Sequence, residues 1–238
     1  MEKLKKVVKF RSPGIDSYVE SMLANIVEGK KILRLRKDIR LFSQGAEANT
    51  MYFIQSGRVK LTITSVPGKE GVLAMLGSRE FFGEGCLVGQ SLRMSTATTI
   101  ESSTVFEIQK CAMLKAFHDQ PEFSEKFIAA LLVRNIDMEQ EIGSQLFDQT
   151  EKRLARVLLK LSRYGHHDFL PDAKLSQLSD ETLADLAATT PSRISHFLDK
   201  FRKLGLVHYH YNGKIVVRAE MLADMVLHGA TRPRDHAV

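Results

Sequence analysis

Residues 179–205 read SDETLADLAATTPSRISHFLDKFRKLG, and this stretch decides how the C-terminal part of the chain is built. Ser179 is placed to cap a first short helix, with Leu183, Leu186 and Ala187 as its apolar face. Ala188-Thr189 predicts a tight turn. Thr190-Pro191 then opens a second helix, with Thr190 as N-cap and Pro191 in the first turn, where its missing N–H costs nothing. Ile194, Phe197 and Leu198 give that helix a buried face and leave Ser192, Arg193, Ser195, His196, Lys200 and Arg202 outside. Two short helices, a sharp turn and a polar, basic outer face fit a helix-turn-helix, whose second helix lies in the DNA major groove. An ordinary helical hairpin has the same outline. The stretch that follows argues for the first reading: VHYHY and KIVVR alternate apolar and polar residues around Asn212-Gly213, as in a hairpin wing.

Working upstream, TEKRLARVLLKLSRYG (150–165) predicts a helix with Thr150 as N-cap and Gly165 as C-cap, and HHDFLPDAK (166–174) reads as a loop. Before it, EFSEKFIAALLVRNIDMEQEIGSQLF (122–147) predicts a long helix. Ile128, Leu131, Asn135, Met138, Ile142 and Gln145 fall at alternating spacings of three and four, the seam of a paired helix; Phe127 and Leu132 are then left to serve the chain's own core.

From residue 31 to about 110 the pattern changes. KILRLR, IRLF, MYFIQ, RVKLTIT, GVLAML and STVFEIQ are short alternating runs, punctuated by Gly45, Gly57, Gly68, Gly71, Gly77, Gly83 and Gly89. Such spacing predicts a jelly roll or barrel. GIDSYVESMLANIVEG (14–29) predicts a short helix, capped by Asp16 or Ser17 and ended at Gly29, and residues 1–12 form a basic arm. The expected fold is therefore α+β in three parts: a β-barrel sensor over 1–120, a dimerisation helix and hinge over 121–148, and a winged helix-turn-helix over 149–238.

Composition narrows the class. The 238 residues carry 34 Lys and Arg against 28 Asp and Glu, a net charge of +6 that favours polyanionic partners. Two cysteines, Cys86 and Cys111, exclude a four-cysteine zinc or iron–sulfur site. Residues 1–117 contain no histidine, which argues against haem ligation and against a metal-binding jelly-roll enzyme. His208 and His210 alternate on one strand and His166-His167 are adjacent, but exposed polar positions explain them more simply. Cys86 reads as a small core residue. No run is apolar enough to span a bilayer and none resembles a secretory signal, so a cytoplasmic location is expected.

The stretch with binding chemistry is GSREFFGEGCLVGQSLRMSTATTIE (77–101). Gly83 lets backbone N–H groups approach an anion. Arg93 can grip a phosphate in a bidentate manner, with the hydroxyls of Ser95 and Thr96 completing a cradle, and Glu84 can accept from a ribose hydroxyl. Taken alone, an Arg and a Glu also fit a surface ion pair.

Phe82-Gly83-Glu84-Gly85-Cys86-Leu87 followed by Arg93-Met94-Ser95-Thr96 resembles the phosphate-binding cassette of cyclic-nucleotide-binding domains, F-G-E-x-x-L then R-x-A-T. The likeness extends over RLFSQGAEANTMYFIQSGRVKL (40–61) and PGKEGVLAMLGSREFFGE (67–84). With FDQTEKRLARVLLKLS (147–162) and the helix-turn-helix in the same order, the chain resembles bacterial regulators of the catabolite activator / fumarate–nitrate regulator family across residues 31–218. The resemblance implies a homodimer that binds a two-fold site in double-stranded DNA, gated by a ligand such as cyclic AMP or cyclic GMP, with RNA polymerase as a further partner. It assigns Gly83, Glu84, Arg93, Ser95 and Thr96 to the sugar-phosphate site, with Gly85, Cys86 and Met94 beside them. Two departures stand out. Ser95 replaces the family's small alanine, and Met138 and Glu139 stand where cyclic-AMP-responsive members carry Thr-Ser to read the purine. By the same analogy Pro191, Ser192 and His196 are base readers; from its chemistry and place in the first turns Arg193 is the best guanine-reading candidate, and Lys200, Arg202 and Lys214 are expected at phosphates. A family member that binds DNA without a nucleotide, or senses another ligand, is the alternative within the class. A jelly-roll metalloenzyme is the alternative outside it.

Overall fold

The computed structural model describes residues 15–162, 172–175, 178–210 and 214–228. The basic arm, the Gly165 cap, His166-His167 and the Asn212-Gly213 turn lie outside the described residues. The chain divides into two compact units within one long helix, after Met138.

The first unit opens with α1 (Ile15–Asn25), which already contains Asp16 and Ser17, so neither is the cap expected of it. Strands β1 (Lys30–Leu35), β2 (Arg40–Phe42), β3 (Thr50–Ser56), β4 (Val59–Thr64), β5 (Glu70–Leu76), β6 (Phe81–Phe82), β7 (Thr96–Thr99) and β8 (Ser103–Gln109) follow. They form two four-stranded antiparallel sheets, ordered β1-β8-β3-β6 and β2-β7-β4-β5. The two-residue β6 and the polar β7 were not legible as strands. Helices α2 (Lys110–Asp119) and α3 (Pro121–Phe147) close the unit and lead out of it; α2 was not foreseen.

Strand β3 shows how the layers are arranged. Met51, Tyr52, Phe53 and Ile54 are all buried, where an exposed sheet would bury every second residue. Tyr52 and Ile54 face a cluster with Val59, Leu61, Leu76, Phe82, Ala97 and Val105, drawn from both sheets. Met51 and Phe53 join a second cluster with Val19 and Leu23 of α1, Met113 of α2, and Phe123 and Phe127 of α3. The strand is apolar on both sides because helices cover its outer face.

Along α3, Phe123 and Phe127 are buried and Leu131 packs against the same cluster. Leu132 is 58% exposed and does not serve the core as expected. Of the anticipated seam, Ile128, Asn135, Met138, Ile142 and Gln145 are exposed and Leu131 alone packs against the core; Leu132, Ile136 and Leu146 are exposed beside them. The reason is local: the aromatic pair Phe81–Phe127, with centroids 4.9 Å apart, fixes which side of the helix turns inward.

The second unit contains the end of α3, then α4 (Thr150–Ser162), β9 (Asp172–Lys174), α5 (Asp180–Leu186), α6 (Pro191–Lys203), β10 (Val207–Tyr209), β11 (Ile215–Arg218) and α7 (Ala219–His228). Its sheet is ordered β10-β11-β9, so part of the expected 166–174 loop is a third strand paired to the hairpin. Helix α4 contacts α5, α6, α7 and β11 and buries Leu154, Ala155, Leu158, Leu159 and Leu161. Thr150 is the first residue of α4 and not its N-cap.

Gly57 links β3 to β4, which belong to different sheets, and it turns that corner at φ +93°. A Cβ there would lie 2.7 Å from Ser102 O and Ser103 Cα, backbone atoms that cannot swing away. Gly57→Ala combines left-handed strain with overpacking and is expected to cost about 2–4 kcal/mol. Urea unfolding followed by circular dichroism measures it; an unchanged midpoint contradicts this corner.

Candidate functional site

In the first unit the candidate site is the segment from β6 to β7. Phe81 and Phe82 pair with β3, and Phe82 stacks on Tyr52 at 5.0 Å and 16°. That pairing brings the chain to Gly83, at φ +73°, the left-handed entry to a short 3-10 helix over Glu84–Val88. A Cβ on Gly83 would sit 2.6 Å from Arg93 Nη1, so the glycine serves both the turn and the approach of the guanidinium.

Arg93 is 5% exposed. Its Nη1 donates to Gly83 O at 3.1 Å, and its Nη2 donates to Thr50 O at 2.6 Å and to Thr50 Oγ1 at 2.9 Å. Its Cζ lies 4.3 Å from the Phe42 ring centroid and 5.5 Å from that of Tyr52. The Nε is buried and has no hydrogen-bond partner among the described residues. A buried cationic donor without an acceptor is costly. It is the feature that a bound anion would satisfy, so the residues present fit a phosphate group.

Glu84 does not pair with Arg93, which removes the surface ion-pair reading. Its Oε1 accepts from Arg134 Nη1 at 2.9 Å, and the same nitrogen donates to Phe81 O at 3.1 Å. Arg134 stands on α3, 50 residues away, and no local motif pointed to it. Met138 lies one turn further along that helix, exposed. Glu139 is also exposed and belongs to the other unit.

The remaining cassette residues divide. Ser95 is buried, and Thr96 Oγ1 accepts from Gln44 N at 3.0 Å. Met94 points outward. Gly85 closes against Gln90. Cys86 is fully buried; burial pushes its thiol up, against the pull of Arg93, which makes it a core residue and not a reactive one.

In the second unit the helix-turn-helix forms as read. Ser179 Oγ accepts from Thr182 N at 3.2 Å at the start of α5, and Ala188 makes the turn at φ +49°. Thr190 precedes α6 in extended geometry, but its hydroxyl makes no cap bond; its carbonyl accepts from Arg193 N and Ile194 N instead. Ile194, Leu198 and Phe201 are buried, Phe197 only half so, with His196 edge-on to it at 5.4 Å. Pro191, Ser192, Arg193 and His196 are exposed together on the first two turns.

Three candidates are engaged elsewhere. Ser195 Oγ bonds to the Asp180 carboxylate and to Pro191 O, tying α6 to α5. Lys200 Nζ meets Glu151 Oε2 at 2.8 Å, and Arg202 meets Asp199 at 2.9 Å. Lys214 is exposed at the start of the wing's second strand, where its carbonyl accepts from His210 N at 2.8 Å. Sequence reasoning also missed Arg153 on α4, which donates to Asp148 O, Ala187 O and Ala188 O at 2.9–3.1 Å.

Comparison with known proteins supports both halves. Residues 32–120 match the cyclic nucleotide-binding domain family, and residues 152–225 match the Crp-like helix-turn-helix domain family. A Thermus thermophilus protein named Cyclic AMP receptor protein is 30% identical over 190 residues, 79% of this chain and 84% of that one. The CRP-like cAMP-activated global transcriptional regulator of Mycobacterium tuberculosis is 26% identical over 184 residues, 77% of this chain and 82% of that one. Among solved structures, the c-di-GMP responsive global regulator CLP of Xanthomonas campestris aligns with a TM-score of 0.67 at 22% identity, over 83% of this chain and 98% of that one. With a cyclic-nucleotide-binding β-domain, a helix-turn-helix and relatives of this extent, the chain belongs to the catabolite activator / fumarate–nitrate regulator (CRP/FNR) family of transcription regulators.

Proposed function

We propose that this regulator is a cytoplasmic homodimer that binds a two-fold DNA site and is gated by a cyclic nucleotide held at Arg93. The observation that carries the ligand reading is the buried Arg93, with an Nε that lacks a partner among the described residues. Cyclic AMP is the first candidate, because the 30% identical relative is named as its receptor. Cyclic GMP is the second. Glu84, and through it Arg134, are the groups for the ribose; Met138 and Glu139 are proposed for the base. Ser95 and Thr96 flank the phosphate. The absence of the Thr-Ser pair keeps the second reading in view, a family member that recognises DNA without a nucleotide. The metalloenzyme alternative is not carried forward, since the family consists of regulators.

The nucleotide reading is tested by titration calorimetry with cyclic AMP and cyclic GMP. Arg93→Ala removes a charge-assisted contact and is expected to weaken binding by about 1.5–3 kcal/mol. No heat from the wild type with either nucleotide favours the nucleotide-free reading.

Dimerisation is supported by the apolar stripe of α3, with Leu132 and Leu146 58% and 70% exposed. Leu132→Lys places like charges in a symmetric seam and is expected to shift sedimentation from dimer to monomer at micromolar concentration. A wild type that sediments as a monomer refutes the pairing.

For DNA, the proposed readers are Pro191, Ser192, Arg193 and His196, with half-sites about one helical turn apart. Thr190 and Ser195 are assigned to positioning α6, and Lys200, Arg202 and Lys214 to backbone contacts. RNA polymerase is the proposed further partner. Arg193→Ala is expected to cost about 1–3 kcal/mol and to relax preference at one symmetric base position. Selection from a random DNA pool reads this; an unchanged motif removes Arg193 as a reader, and no motif at all removes the DNA assignment.

A further inference from the structure

We propose that a chain of two hydroxyls, Thr50 and Tyr52, running to the Glu107 carboxylate positions Arg93 for the phosphate of the bound nucleotide. The proposal rests on the cyclic-nucleotide reading above and names residues that the cassette motif does not contain.

The donors have a consistent direction. Tyr52 OH donates to Glu107 Oε1 at 3.1 Å. Thr50 Oγ1 donates to Tyr52 OH at 3.2 Å. With its proton committed to Tyr52, the Thr50 hydroxyl turns a lone pair toward Arg93 and accepts from Nη2 at 2.9 Å, beside its own carbonyl at 2.6 Å. The guanidinium is 5% exposed and has no carboxylate in direct contact among the described residues. Glu107, at the end of the chain, is the anion that the hydroxyls connect to it, and polarised chains of this kind strengthen each bond.

The chain is built on rigid parts. Thr50, Tyr52 and Glu107 stand on β3 and β8, paired in the register Thr50↔Gln109 and Tyr52↔Glu107. The Tyr52 ring is clamped by Phe82 at 5.0 Å and Phe42 at 5.5 Å. Phe42 in turn covers the guanidinium. Nη2 is thereby committed to Thr50 and Nη1 engaged with Gly83 O, while the buried Nε is left without a hydrogen-bond partner among the described residues. An arginine has many rotamers; selecting one before the ligand arrives removes that cost from binding.

The test is calorimetry with whichever of cyclic AMP and cyclic GMP binds the wild type. Thr50→Val deletes the acceptor and keeps the β-branched shape; its Kd is expected to rise about tenfold, the worth of one hydrogen bond to a charged group. Thr50→Ser keeps the hydroxyl and is expected to restore the wild-type Kd within about twofold. Tyr52→Phe keeps the ring stack, breaks the chain one link away, and is expected to raise Kd about threefold. Thermal midpoints of the apo proteins monitor folding, and Tyr52→Phe carries the test if Thr50→Val does not fold. A nucleotide Kd unchanged in both Thr50→Val and Tyr52→Phe overturns the positioning role and leaves the cyclic-nucleotide reading intact. A wild type that binds neither nucleotide overturns both.

Discussion

A guanidinium cannot be buried cheaply, and the first unit is arranged around one that is. Arg93 carries five N–H donors and a full charge into a region closed off by Phe42 and Tyr52. Each wall that meets it belongs to a different element: Phe42 to β2, Thr50 and Tyr52 to β3, and the Gly83 carbonyl to the turn after β6. β2 and β3 belong to opposite sheets, so this one side chain joins the two layers of the jelly roll. The left-handed Gly83 and the stacked pair Tyr52–Phe82 then follow as geometric needs of the mount. The aromatic residues of this layer bury surface, and they also replace the water that the cation has lost.

The features that were legible in the sequence are those with short-range causes. Alternation gave β1, β2, β4, β5 and β8 nearly to the residue, and the cap at Ser179 with the left-handed turn at Ala188 gave the helix-turn-helix. What was missed has long-range causes. β6 is two residues long and exists because Phe81 and Phe82 pair with β3. β9 exists because the wing strand β11 has an open edge for it. That Leu131 rather than Leu132 packs inward was hidden because the two are chemically alike; the contact of Phe127 with Phe81 on the same face of α3 goes with Leu131. In the candidate site the motif gave Gly83, Glu84 and Arg93, but their partners Arg134 and Thr50 lie 50 and 43 residues away, beyond the reach of any spacing rule.

The second unit uses a cation differently. Arg153 is anchored on α4 and donates to carbonyls of three residues, Asp148 before the helix and Ala187 and Ala188 in the turn between α5 and α6. Carbonyls at helix ends and in turns lack internal partners, and one planar fork satisfies several of them at once. Asp148 itself is held by Ser144, Lys152 and Arg156; although burial pushes the other way, these bonds keep its carboxyl below the usual range. The junction between α3 and α4 and the turn that aims α6 therefore share one side chain. Both the turn before α6 and the end of the long helix are held from α4.

Charge counting alone does not show which cations of α6 are uncommitted. The net charge of +6 spreads over the whole chain, and on α6 two of the four Lys and Arg are paired within the second unit. Lys200 holds Glu151 and so fastens α6 to α4, and Arg202 holds Asp199 on its own helix. Ser195, although on the outer side, joins α6 to the first residue of α5. These contacts fix the helix at its middle and end. Its first two turns stay exposed, where Arg193 has no carboxylate within ion-pair distance among the described residues and His196 lies against the edge of Phe197. A functional helix needs its frame rigid before its outer groups can act precisely, and here the residues that brace α6 and those left exposed on its first turns are different ones.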